Sequence, residues 1–244
     1  MRTRPSIIAV LRSCVLAMGI ATWLAIPSFA LTAQEIITRA RVILNDASAD
    51  TTRQRFSDAQ LLAFLNDGQR EAGNFSQVLQ STFGITLVGG TTEYALPSDF
   101  ITPWNVTYFG KKLDQTTFNK LDADSIGWRT SRGTPTSYYV YLADTMRIGF
   151  VPAPVVQSTG PVVVYYTQQP NDLTSLSQSP WNSWIILTPY HSALIYYIAY
   201  RGYLTMLDST TAGAYFNEWT MYVAAMRDAA SKMPDYNPGM SGKR

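Results

Sequence analysis

Ile36, Ile37, Ala40, Ile43 and Leu44 recur every three or four positions, which places them on one face of a helix. Thr32 and Glu35 open that helix as a capping box. The threonine oxygen accepts from the third helical amide, and the glutamate reaches back to the threonine amide. Asn45, Asp46 and the polar stretch to Gln54 close it. A second box, Ser57 with Gln60, is flanked by Phe56 and Leu61 as a hydrophobic staple. Leu61, Leu62, Leu65, Gly68 and Ala72 carry this helix to about Asn74. Two helices joined by a short polar loop pack antiparallel.

From residue 84 to residue 170 the apolar period shortens to two. Runs 83–88 and 91–96 flank Gly89 and Gly90, a hairpin-type turn. Residues 101–109, 136–142, 146–150 and 161–167 alternate as further strands. Pro97, Pro103, Pro135, Pro152, Pro154 and Pro170 stand at strand ends, where a missing amide costs least. Between the strands, residues 122–128 predict one or two helical turns. The segment reads as one antiparallel sheet or barrel of five or six strands.

Helices resume at Thr188 and Pro189, an N-cap followed by proline at the first helical position. Leu194, Ile195, Ile198, Gly202 and Met206 face one way. The last helix carries Ala212, Phe216, Trp219, Val223, Met226, Ala230 and Met233 at alternating spacings of four and three. The pattern predicts an α+β fold. Helices of 31–83 and 171–233 share a four-helix bundle, 84–170 is an inserted antiparallel sheet or barrel, and no second independently folding domain is expected. Residues 234–244 have two prolines and no periodicity, which predicts an extended C-terminal arm.

Residues 1–30 differ from this body. Arg2, Arg4 and Arg12 precede and enter an apolar run ending at Ile26, and Ser28-Phe29-Ala30 has the small-x-small form of a cleavage site. The run is short for a membrane span. It reads either as a secretory signal or as a misassigned N-terminal extension, with Met18 as a later start.

Charge changes the picture once that segment is set aside. The full chain has a net charge of +2, but the remaining 16 basic and 17 acidic residues leave the body at −1. Tight non-specific nucleic-acid binding needs a field of Lys and Arg to release counterions, and these are scattered. Apolar residues make up 46% of the chain and charged residues only 15%, with 15 Tyr, 6 Trp and 10 Phe. Tyrosine and tryptophan suit surfaces that are half wet and half buried, as at protein–protein contacts.

The inventory for chemistry is thin. Cys14 is the single cysteine and His191 the single histidine, so a Cys/His zinc site cannot be assembled within one subunit. No phosphate loop, nucleophile elbow or metal-binding helix motif occurs. His191 reads as a packing or capping residue and Asp122 with Asp124 as a solvated turn. Asp46, Asp50 and Asp58 lack calcium-loop spacing. No catalytic, cofactor-binding or metal residue is assigned, and no enzyme is expected.

End to end, the body resembles the head-to-tail adaptor (connector) proteins of tailed phages, over about residues 31–233. The resemblance rests on Leu44-Asn-Asp46, Arg55-Phe-Ser-Asp-Ala-Gln-Leu-Leu62 and Leu65-Asn-Asp-Gly-Gln-Arg-Glu71. It continues through Gly90-Thr-Thr-Glu-Tyr-Ala-Leu-Pro-Ser-Asp-Phe100, Gly133-Thr-Pro-Thr-Ser-Tyr138, Phe150-Val-Pro-Ala-Pro154 and the helix from Ala193 to Arg201. It implies a virion subunit repeated in a ring, typically of twelve copies, between the portal protein and the tail or nozzle proteins. It implies further that DNA passes only transiently through the lumen, that the body meets no membrane, and that a C-terminal arm grips the portal. Pro234, Tyr236, Asn237, Pro238 and Met240 are the candidate docking residues, with Tyr236 as anchor. Export after Ala30 would instead make the chain a secreted or periplasmic β-rich protein of prophage origin.

Overall fold

The computed structural model describes residues 30–124, 126–155, 162–181 and 185–232, and it has the predicted α+β class. The helices are α1 (Ala33–Ile43), α2 (Asp58–Ser76), the short α3 (Phe118–Asp124), α4 (His191–Thr205) and α5 (Ser209–Ser231). Both capping boxes form, with Thr32 N–H donating to Glu35 at 2.8 Å and Ser57 N–H to Gln60 at 2.9 Å.

The four long helices share one core. Ile36, Ile37 and Ala40 enter it from α1, Leu61, Leu65 and Ala72 from α2, and Trp219, Val223 and Met226 from α5. Each fully buried Leu or Ile contributes roughly 1.5–3 kcal/mol. The expected single apolar face of α4 is too narrow a description. Ala193, Tyr197 and Ala199 are buried together with Leu194, Ile195, Ile198 and Gly202, because α4 packs against α1, α2 and α5 at once. Its start also differs from expectation. Thr188 and Pro189 lie in a 3-10 segment, Ile185–Tyr190, and α4 begins at His191 with no side-chain cap.

Two glycines on the predicted stripes let helices approach closely. A Cβ on Gly68 of α2 would lie 2.7 Å from the Tyr197 ring. One on Gly202 of α4 would lie 2.5 Å from a Leu44 methyl.

An ionic link closes the loop between α1 and α2. Arg41 is 6% exposed and donates at 2.7 Å to Asp46, which is also 6% exposed, and at 2.7 Å to the half-exposed Asp58. Asp46 accepts in addition from the Arg55 and Phe56 amides.

The β region departs further from expectation. Eight strands form two four-stranded sheets instead of one sheet or barrel of five or six. They are β1 (Gln80–Ile85), β2 (Glu93–Ala95), β3 (Phe100–Tyr108), β4 (Lys111–Lys112), β5 (Asp114–Gln115), β6 (Ser137–Leu142), β7 (Met146–Val151) and β8 (Val162–Gln168). The orders are β1-β8-β3-β4 and β2-β7-β6-β5. All pairs are antiparallel except β5 with β6. Gly89 and Gly90 are therefore no hairpin turn: β1 pairs with β8 and β2 with β7, so the glycines carry the chain from one sheet to the other. Pro103 lies inside β3, where it coincides with a register shift against β8. Inward residues of both sheets, among them Val106, Ile148, Phe150, Val162 and Val164, make a second core with Leu87 from the β1–β2 connection. Edge α3 closes over Trp128 and Tyr139.

Candidate docking site

The α4–α5 pair exposes two flanks with different chemistry. On one, Tyr196 and Tyr203 of α4 are seven residues apart, as are Tyr215 and Tyr222 of α5, so each pair points the same way after two turns. The four rings interleave into a row. Tyr222 stacks on Tyr196 at 5.5 Å, Tyr196 on Tyr215 at 6.4 Å and Tyr215 on Tyr203 at 5.5 Å, with interplanar angles of 27°, 19° and 12°. All four are half-buried, and Tyr203 donates to the Ile43 carbonyl at 3.0 Å. Burial holds the Tyr196 and Tyr215 hydroxyls above the usual phenol range. Beyond the row, Leu207 and Met221 are exposed.

On the other flank α5 forms a groove with the end of α2. Its floor is Trp219 and Val223, its walls Phe216, Thr220 and Ala224, and its lip Arg227. Phe75 leans over it edge-on to Trp219 at 6.0 Å and stays 62% exposed. The cavity volume is about 370 Å³, within the range of clefts that hold small ligands or single anchoring side chains (roughly 300–1,000 Å³). Trp219 is 1% exposed, yet its Nε1 has no acceptor among the described residues. A buried donor in that state is unusual, since most such groups are satisfied.

Several polar groups elsewhere find partners within the fold. Tyr139 and Tyr141 both donate to Glu93, at 3.1 and 2.6 Å. Burial, with the Glu93 carboxylate beside it, raises the Tyr139 hydroxyl far above its ordinary value. Asp122 accepts from Arg129 at 2.6 Å and from Trp128 Nε1 at 2.8 Å, and these bonds hold its carboxyl below the usual range. His191 is fully buried beside Trp181 and accepts the Leu31 N–H through Nδ1 at 3.0 Å. Among the described residues no group of three or more His, Cys, Asp and Glu is placed to hold a metal ion. None of their helices is long and apolar enough to cross a membrane.

The predicted docking residues Pro234, Tyr236, Asn237, Pro238 and Met240 lie outside the described residues, as does Met233. The same holds for residues 1–29 of the signal-like segment. The described residues end at Lys232, the C-cap of α5. Sequence reasoning missed both flanks. The tyrosines at seven-residue spacing in two successive helices were a visible signal for the row. Phe75 belongs to no apolar stripe, and no local pattern announces the groove.

What the α4–α5 pair presents is a half-buried aromatic surface beside an apolar groove. The chain matches the profile of the SU10 adaptor protein over residues 31–241 and belongs to that family of phage head-to-tail adaptors. The match begins where the capped body begins and runs on to residue 241, past the last described residue. No curated protein matches the chain.

Proposed function

We propose that this chain is a structural virion subunit that joins the portal to the tail as one copy of a ring, typically of twelve, around the DNA conduit. The observation that carries this reading is the family match across 31–241, which takes in helices, sheets and arm together. Three physical features support it. The body is close to neutral, so a ring of copies does not grip DNA by counterion release. The tyrosine row offers each subunit a flat, rigid face with few rotamers to freeze, which suits lateral contact with a neighbour. The arm, with Pro234, Tyr236, Asn237, Pro238 and Met240, leaves from the end of the longest helix and supplies an extended segment for the portal. In this role the chain is non-enzymatic, needs no cofactor, and meets tail or nozzle proteins on the face away from the portal.

The test is genetic. A phage in which this gene is interrupted should package DNA into heads and assemble tails separately, with the two unjoined in electron micrographs. Tailed particles in normal numbers would sink the proposal.

A further inference from the structure

We propose that the groove on α5 is the resting place of the chain's own C-terminal segment, residues 233–244, folded back in cis along the helix that precedes it. Two independent observations converge on that occupant.

The first is reach. Arg227 at the near lip is four residues before the end of α5 at Ser231, about 6 Å at 1.5 Å per residue, and Phe216 at the far wall is about 22 Å away. Twelve residues follow Lys232. If four of them reverse the chain, the other eight still span about 26 Å when extended, enough to run the length of the groove.

The second is chemistry. The groove is apolar, with Trp219 and Val223 below and Phe75 overhanging, and the segment supplies Pro234, Tyr236, Pro238 and Met240 in near alternation. Arg227 at the lip has no ion-pair partner among the described residues, and Asp235, the one acid of the segment, falls within the reversal at the end nearest that lip.

On the reading of the arm as a portal-docking element, this stores the arm on the body until a portal site competes for it. The groove and the portal then share one ligand.

The test leaves the portal out, so its result does not depend on that reading. In the full chain with Cys14→Ser, two double-cysteine variants are compared: Thr220→Cys with Ser241→Cys, and Met221→Cys with Ser241→Cys. Thr220 lines the groove, whereas Met221 is the next residue, on the exposed side of the same helix turn. At low micromolar chain concentration, the Thr220 pair should oxidise to an intrachain disulfide about tenfold faster than the Met221 pair, tenfold being a preference of about 1.4 kcal/mol. Equal rates would overturn the proposal, since a tail ranging freely meets both sites alike. A predominantly interchain product would also overturn it, by assigning the groove to a second copy. Hydrogen exchange gives a readout without cysteines: ending the chain after Lys232 should speed exchange across residues 216–227, and unchanged exchange there would count against cis docking.

Discussion

Leu31 donates its backbone N–H to Nδ1 of His191 at 3.0 Å across 160 residues of sequence, tying the start of the body to the start of α4. The imidazole is fully buried and its Nε2 has no partner among the described residues. Burial pushes its pKa down to about 4, and the Leu31 amide occupies the lone pair that a proton would need.

The sign of the pH effect follows. An unfolded histidine titrates near 6.5, so between pH 6.5 and about 4 the unfolded chain binds the proton that the folded chain refuses. Stability contributed at neutral pH is therefore lost as pH falls through that window, by something on the order of 3 kcal/mol. Urea unfolding at pH 7 and pH 4.5 should show this loss in the wild type. His191→Gln, which keeps an acceptor for Leu31 and removes the titration, should show a shallower decline. Identical declines would remove His191 from the account.

Gly68 and Gly202 look alike as close-approach glycines but should respond differently. Alanine at Gly202 meets the mobile methyls of Leu44, and the gain in helix propensity of about 1 kcal/mol offsets the crowding. Alanine at Gly68 meets Cγ, Cδ1 and Cβ of Tyr197, which cannot swing away without moving α4. Thermal unfolding should place Gly68→Ala about 1–3 kcal/mol below wild type and Gly202→Ala close to it.

Arg41→Ala should be among the more damaging polar substitutions, at about 3–5 kcal/mol, because it leaves Asp46 charged and buried. Asp58→Ala removes the exposed partner of the same arginine and should cost no more than about 1 kcal/mol. Denaturant midpoints of the two variants check the ordering, and a larger loss for Asp58→Ala would invert the assignment.

Ending the chain at Met233 removes Tyr236 and the rest of the arm. Far-UV circular dichroism should keep its helical signal, since among the described residues the buried helical core ends at Ala230, while binding to portal rings should weaken. Undiminished binding would take the docking role away from Pro234, Tyr236, Asn237, Pro238 and Met240.

The helices were largely legible because their signals are local. Two capping boxes and the stripes through Ala72 and Ala230 each lie within a few turns of chain, and the structure reproduces them. The sheets were legible as strands and illegible as topology. β1 finds its partner β8 nearly 80 positions later, and β2 crosses to another sheet, through pairings that no two-residue period encodes. Arg41 with Asp46 and Asp58 was hidden for a similar reason: charged residues in a polar loop look solvated until the fold closes over them. At the docking site, the row of tyrosines was written in the sequence, while the groove depends on Phe75 arriving from a helix far away in the chain.

The proposed role, one subunit of an adaptor ring docked on a portal, is checked by mass measurement of the 31–244 body mixed with purified portal rings. A discrete complex is expected, in which each portal ring carries a full ring of copies, about twelve. A body that stays monomeric beside unmodified portal rings at micromolar concentration would contradict it.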